Sequence, residues 1–254
     1  MTGPLLMLLG LLAGTTGAPA SQTAPPAPVA ASSTTAPAVP PVLREISPGI
    51  FDYQGIRLDK PKRRISFPGT VNMRVGLIEY LLVTELGKTH ESLLATKILP
   101  RDIHLAMLLI GAPDNSKANS NEPVPPSAID TSYLRSAPKL KGSPVRISVA
   151  WTKDGKRKEI PAERWIFNLQ TNHAMTTGPW TYNGSLVQDG VFLADQELSI
   201  VAVITDPTAL VNNPRAGYDN DEIWQVQDKV VPPLDTPVEV SITLEEGKST
   251  AVKP

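Results

Sequence analysis

The chain has 254 residues, a formal net charge of −1, 26 prolines and no cysteine. Without cysteine, disulfides, thiolate zinc sites and iron–sulfur clusters are excluded. The near-neutral charge argues against nucleic acid as a partner, because such binding needs a basic face. An envelope protein or a small ligand is therefore the kind of partner we expect.

The first 20 residues have the pattern of an export signal. An apolar run from Leu5 to Leu12 precedes Ala18-Pro19-Ala20, a small-x-small cleavage motif, although no lysine or arginine comes before Arg44. The apolar run is short and interrupted by glycine, so we expect no stable membrane span in the mature chain. We predict a signal peptide over residues 1–20 and an exported protein, periplasmic or secreted.

Residues 21–43 are predicted to be a disordered linker. Up to Pro41 they are almost wholly alanine, proline, serine and threonine, without charge. Such a segment buries too little apolar surface to offset the entropy lost on ordering. Residues 44–254 are then predicted to form a single globular domain.

The first elements of this domain read as strands. Ile56–Leu58 and Arg64–Met73 have strand composition, with a turn or bulge at Pro68-Gly69. Ile78–Val83 follows as a strand of β-branched and aromatic residues.

Two helices are predicted next. The first, from His90 to about Thr96, is short and has Thr89 as its candidate N-cap. The second begins near Pro100 and closes at Gly111. It is apolar nearly all round, which is typical of a buried helix, and we predict it near residues 100–110. Residues 112–136 are rich in Asn, Ser, Pro and Asp and are predicted to be a flexible insertion.

The second half of the chain is dominated by strand patterns. Val145–Trp151 alternates apolar and polar residues, and Asp154-Gly155 predicts a hairpin that returns through Lys156–Ile160. Pro161–Asn168 and Pro207–Val211 could each form a short helical turn. Further strands are predicted at Trp180–Gly184, Val191–Ala194, Leu198–Ile204 and Val238–Glu245, with a second hairpin at Gln188-Asp189-Gly190. The predicted fold class is α+β, a mainly antiparallel sheet with a short helix pair.

One group of residues could bind a divalent metal. Two imidazoles and carboxylates can hold such an ion with positions open for water, and the candidates are Glu79, His90, Glu91 and His104. No fixed spacing constrains these four residues. The alternative is that His104 is a hydrogen-bonded core histidine and Glu91 complements a helix dipole.

A second candidate group is a ligand site around Trp180, Tyr182 and Ser185. Aromatic side chains line ligand clefts, but they also fill cores, and Trp180 and Tyr182 share one face of their strand. Ser185 could be a nucleophile only with a histidine base nearby. Otherwise it is a turn residue after Gly184.

A set of residues between about Gln54 and Val211 stands out: Glu79, Gly87-Lys88-Thr89-His90-Glu91-Ser92-Leu93-Leu94, Pro100, His104, Leu109-Ile110-Gly111, Trp151, Asp154-Gly155-Lys156, Ala162-Glu163, Trp165, Trp180, Tyr182, Gly184-Ser185 and Ala194-Asp195. On these residues the chain is similar to the YdjY-like domain family. The family consists largely of uncharacterised bacterial proteins, so the resemblance implies little about function. Some members of the family have been labelled ferredoxin-like, but this chain lacks the cysteines that clusters need.

These observations lead to one functional expectation and one alternative. We expect an exported domain that acts as a binding or accessory module in the cell envelope, with no cofactor. The alternative is a metal-dependent hydrolytic enzyme that uses the His/Glu group. The sequence leaves open whether the protein is an enzyme.

Overall fold

The structure is a computed structural model that describes residues 42–116 and 139–246. The predicted signal peptide, nearly all of the predicted linker and most of the predicted insertion lie outside these ranges. None of the described helices has the length and apolar character needed to cross a membrane.

The described residues are folded mainly as short strands. The strands are β1 (Arg44–Ser47), β2 (Ile50–Tyr53), β3 (Ile56–Asp59), β4 (Arg64–Val71), β5 (Tyr80–Thr84), β6 (Ser92–Thr96), β7 (Ser143–Lys153), β8 (Lys156–Pro161), β9 (Ile166–Asn168), β10 (His173–Ala174), β11 (Trp180–Tyr182), β12 (Val187–Gln188), β13 (Val191–Phe192), β14 (Ser199–Ala202), β15 (Val211–Asn212), β16 (Trp224–Val226) and β17 (Pro237–Leu244). The α-helices are α1 (Pro100–Leu109) and α2 (Leu193–Glu197), and 3₁₀ turns span Thr89–Glu91 and Ala162–Trp165.

Eight of the strands close into a barrel. Their order is β4-β17-β7-β11-β15-β14-β5-β6, and β6 pairs back with β4. Closure leaves no free edge on the ring. Strands β1, β2 and β3 extend the sheet from β4, and β8 extends it from β7.

Strand β4 divides one of its edges between two partners. Residues 64–66 pair with β3, residues 70–71 pair with β6, and β17 runs along the other edge. Pro68 and Gly69 lie between the two paired segments. Proline has no amide to donate to a ladder, and a Cβ on Gly69 would come within 3.1 Å of the Ala95 carbonyl oxygen. At Pro68-Gly69, therefore, the partner of β4 along this edge changes from β3, which lies outside the barrel, to β6, which belongs to it.

Strand β7 divides one edge in the same way. Residues 143–145 pair with β11 and residues 148–153 pair with β8, so 146 and 147 face an interval between these two strands. The β7–β8 turn confirms the predicted hairpin, because Asp154 and Gly155 both have positive φ.

The interior of the barrel is apolar. Alternate residues of the long strands point inward and are almost fully buried: Ile65, Phe67, Val71, Val145, Ile147, Val149, Val240 and Ile242. The alternation predicted for β7 and β17 is confirmed by these positions. The outward residues of the same strands carry most of the polar groups.

The predicted fold class is wrong: the described part of the chain is mostly β, with 42% of its residues in strands and 12% in helices, and it contains an eight-stranded barrel. The main cause lies at residues 90–96, where a helix was predicted. A 3₁₀ turn over Thr89–Glu91 leads instead into β6, all five residues of which are buried. Pairing of β6 with β5 and β4 supplies its hydrogen bonds and outweighs the local helix signals.

The predicted helix near residues 100–110 does form, as α1 with Pro100 in its first turn. It is not buried all round, since Ile103, Ala106 and Met107 are buried but Leu105 is 40% exposed. It packs against β3, β4 and α2 rather than forming a pair with a preceding helix.

Two other local predictions need correction. The segment Pro207–Val211 contains no helix, and Val211 begins β15. The segment Val191–Ala194 is a strand for two residues only, because α2 begins at Leu193. Strand pairing along the barrel and the packing of a helix determine the secondary structure of these two segments. Neither interaction can be predicted from a local sequence pattern.

Candidate functional site: a crevice beside Glu163

Strand β11 carries both aromatic residues that were predicted to bind a ligand. Trp180 and Tyr182 are 0% exposed. The Trp180 indole Nε1 donates to Glu163 Oε1 over 3.1 Å, and the Tyr182 hydroxyl lies 2.7 Å from His104 Nδ1. Each ring therefore fills the core, and its polar atom reaches a partner at the edge of the core.

His104 lies in an aromatic environment. Its ring centroid is 5.1 Å from that of Phe192 and 6.1 Å from that of Tyr182. Burial lowers the pKa of His104, and burial also raises the pKa of Tyr182. Both shifts favour the neutral forms, and the tautomer of the imidazole sets which of the two groups donates. This placement resembles the predicted alternative of a hydrogen-bonded core histidine.

Ser185 is buried in a tight turn. Its φ is 65°, its hydroxyl donates to the Thr208 carbonyl oxygen at 2.5 Å, and it accepts from the Ala194 amide at 3.0 Å. The side chain joins three segments of backbone. Its surroundings are those of a turn residue.

The other three residues of the predicted metal group are neighbours. The Glu79 amide donates to the Glu91 carbonyl oxygen at 3.0 Å, and His90 Nε2 lies 3.6 Å from Glu91 Oε2 with its side chain 78% exposed. His104 contacts Tyr182 and Phe192 instead. Among residues 42–116 and 139–246, no group of three or more His, Asp or Glu side chains is arranged to hold a metal ion. Whether the protein binds a metal stays a prediction.

Among the described residues, Glu79 has a carboxyl group whose pKa is raised into the neutral range. Burial raises the pKa of Glu79 to about 7, the charges of Glu91 and Asp221 add to the rise, and Lys88 opposes it. Burial also raises the pKa of Glu91.

The raised pKa of Glu79 predicts a pH-dependent stability. A carboxyl group with a higher pKa in the folded state binds protons more tightly there, so the free energy of unfolding falls as pH rises between the two pKa values. For Glu79 these are the ordinary 4.5 and about 7. In Glu79→Gln we expect the melting temperature to decline less than in the wild type between about pH 5 and about pH 8. The matched control is Glu85→Gln, an exposed neighbour, and a decline reduced equally in both variants would contradict the prediction.

Glu163 and Arg215 form a buried ion pair beside Trp180. Their side chains are 2% and 13% exposed, and Arg215 Nη2 lies 2.7 Å from Glu163 Oε1. The same oxygen accepts from the Gly178 amide and the Trp180 indole, each at 3.1 Å. Arg215 also donates to the carbonyl oxygens of Thr176 and Gly178. The ion pair is thus held by backbone and side-chain bonds on both sides.

The second carboxylate oxygen of Glu163 differs from the first. Oε2 is buried and has no hydrogen-bond partner among the described residues. A buried polar atom without a partner costs about 1–3 kcal/mol, and such atoms are rare in folded proteins. Because Glu163 also lines a crevice, this atom is a candidate acceptor for a donor bound there.

That crevice has a volume of about 230 Å³. It opens at the interval on β7 between β8 and β11, and its lining includes Ile147, Ser148, Ile160, Pro161, Glu163 and Thr177. The walls are mostly apolar, and Ser148 and Thr177 add hydroxyl groups. Arg146 and Glu159 also line the crevice and are paired with Glu245 and Arg64. A small concave apolar site with a few polar groups is typical of ligand-binding pockets.

Sequence reasoning did not single out Glu163 or Arg215 as site residues. The available signal was a pair of charged residues, Glu163 and Arg164, between Ala162 and Trp165. The two partners are 52 positions apart, and no motif spacing links them.

A comparison with family models matches the YdjY domain over residues 56–243. The chain belongs to the YdjY family. The YdjY match continues beyond Val211, where the resemblance seen in the sequence ended, and includes both Glu163 and Arg215. A search of curated proteins and a search of solved structures each found no match.

Proposed function

We propose that this YdjY domain is a binding or accessory module of the cell envelope, and that the crevice beside Glu163 is its ligand site. The observation that carries the proposal is the buried Glu163 Oε2, which has no partner among the described residues and belongs to a residue lining a concave apolar surface. The proposed envelope location is supported by the export pattern of residues 1–20 and the low-complexity composition that follows it.

The charge balance of the site indicates the kind of ligand. Arg215 already neutralises Glu163, so the crevice needs a hydrogen-bond donor rather than a second cation. Ile147, Ile160 and Pro161 offer apolar walls. The ligand is therefore an apolar group that bears a neutral N–H or O–H donor.

A metal-dependent hydrolytic enzyme using Glu79, His90, Glu91 and His104 is the weaker alternative. It requires the four side chains to share one cluster, but His104 is bonded to Tyr182 and packs on Phe192. Among the described residues, no contact joins His104 to the carboxylates of Glu79 or Glu91.

The ligand class can be tested with a matched pair of probes. Indole has an apolar ring and an N–H donor, and 1-methylindole has the same ring without the donor. We expect indole to shift the ¹H–¹⁵N resonances of residues 146–148 and of the Trp180 indole, because it bonds Glu163 Oε2. We expect 1-methylindole to bind about 10- to 100-fold more weakly, since one hydrogen bond to a charged group is worth roughly 1.5–3 kcal/mol.

Two exposed threonines provide the variant and its control. Thr177 lines the crevice, and Thr176 lies beside it in the chain without lining it. Thr177→Trp should block the crevice and abolish the indole shifts, whereas Thr176→Trp should leave them in place. Equal binding of the two probes, or unchanged indole binding in Thr177→Trp, would reject the crevice as the ligand site.

A further inference from the structure

The last strand of the barrel ends beside the crevice. After β17 the Glu245 amide donates to the Pro144 carbonyl oxygen at 2.9 Å, and the Glu245 carboxylate is ion-paired with Arg146. Arg146 itself lines the crevice. The chain therefore passes the rim of the crevice just before residue 246, which is the last residue that the structure describes.

The end of β17 and the crevice share the outer face of the sheet. Ile147 of β7 points into the barrel, so its neighbours Arg146 and Ser148 point outward. The register pairs Thr243 of β17 with Arg146, and Glu245 lies two residues further along, on the same face as Thr243. The path from β17 to the crevice crosses only β7. With strands about 4.8 Å apart, that path is about 10 Å long.

Residues 247–254 are long enough to cover this distance. Their sequence is Gly247-Lys248-Ser249-Thr250-Ala251-Val252-Lys253-Pro254. An extended chain spans about 3.3–3.6 Å per residue, so residues 249–252 can lie up to about 10 to 20 Å from residue 246. The family match ends at residue 243, so this segment lies outside the matched domain.

The segment also has the chemistry that the crevice requires. Thr250 offers a hydroxyl and a backbone N–H as neutral donors, and Ala251 and Val252 offer small apolar side chains. Residues 247–254 include no Asp or Glu, so they bring no carboxylate side chain towards Glu163. The crevice volume of about 230 Å³ is below the roughly 300–1,000 Å³ of pockets for drug-sized ligands. It suits one or two small side chains.

We infer that residues 249–252 occupy the crevice when no ligand is bound and compete with the ligand, an inference that rests on the proposed function. Thr250 and Val252 point to the same side of an extended segment, so Val252 packs on the apolar walls while Thr250 donates to Glu163 Oε2. The segment is tethered beside its site, which gives it an effective concentration on the order of 1 mM. The ligand must therefore displace a competitor that the chain itself supplies.

The competition is tested in the full chain with Val252→Asp, which brings a carboxylate towards Glu163 and should expel the segment. We expect Val252→Asp to bind indole about tenfold more tightly than the wild type, because a segment that fills the crevice about nine-tenths of the time leaves about a tenth of the protein free to bind. The matched control is Val42→Asp, since Val42 is 62% exposed and its replacement changes the net charge equally. This control should bind indole as the wild type does. Equal indole affinity in Val252→Asp and the wild type would overturn the inference.

A second measurement does not depend on indole. Thr177→Trp should expel the segment and shift the ¹H–¹⁵N resonances of residues 249–252, whereas Thr176→Trp should leave them in place. If these resonances are the same in both variants, the segment does not occupy the crevice, whether or not indole binds there. If they shift in Thr177→Trp alone while indole binds none of the proteins, the segment occupies the crevice and the proposed ligand site is rejected.

Discussion

Replacement of Glu163 by alanine is expected to lower the free energy of unfolding by about 3–5 kcal/mol, as the breaking of a buried ion pair does. The loss is large because the Arg215 guanidinium stays buried without its carboxylate. The Trp180 indole and the Gly178 amide also lose their acceptor. Urea denaturation followed by tryptophan fluorescence and circular dichroism measures the change.

A double-mutant cycle separates the ion pair from simple loss of packing. In Glu163→Ala combined with Arg215→Met, no unpaired charge remains, so the double variant should lose less than the sum of the two single variants. The surface control is Lys62→Ala. The Lys62 side chain is 74% exposed in its ion pair with Asp59, so this substitution should change the free energy of unfolding by less than about 1 kcal/mol. A Glu163→Ala protein as stable as the Lys62→Ala protein would show that the pair does not hold this part of the fold.

Replacement of Gly142 by alanine should destabilise the protein by about 3 kcal/mol, at the upper end of what overpacking costs. A Cβ at this position would lie 2.2 Å from the Tyr182 carbonyl oxygen and 2.7 Å from the Tyr182 carbonyl carbon. The obstacle is backbone, so a change of rotamer cannot relieve it. The pairing of β7 with β11, which completes the barrel at this point, must shift.

Gly178→Ala is the matched control for Gly142→Ala. The nearest atom to its added Cβ is Arg215 Nη2 at 3.7 Å, an ordinary van der Waals distance. We expect a change of less than about 1 kcal/mol for this variant, as for other uncrowded sites. Thermal unfolding of the two variants side by side provides the measurement. Similar losses in both would show that the clash at Tyr182 does not govern the effect.

The strands that sequence reasoning located best are those whose pattern is set by a single buried face. Val145–Trp151 and Val238–Glu245 alternate because one side of each faces the barrel interior. The turn at Asp154-Gly155 was predictable because both residues adopt positive φ readily. In each case the cause lies within the segment itself.

The failures have a different origin. Residues 92–96 form a strand because β4 and β5 are there to pair with them, and nothing within the segment records those partners. The metal group stays a prediction, and the structure places Glu79, His90 and Glu91 as neighbours while His104 is bonded to Tyr182. The helix that begins at Pro100 was predicted at the correct position, but it was predicted to be buried all round and one side of it is exposed.

The sequence alone determined the family resemblance, the exclusion of iron–sulfur chemistry, the position of the main strands and the export pattern at the N-terminus. These follow from residue identity and short-range periodicity. Only the tertiary structure decided that the sheet closes into a barrel, that Glu163 meets Arg215, and that Glu163 lines a crevice beside β7. The physical reason is that barrel closure, buried ion pairs and pocket walls each bring together residues that are far apart in the chain. Their energies depend on these tertiary contacts, not on the conformational preferences of each segment.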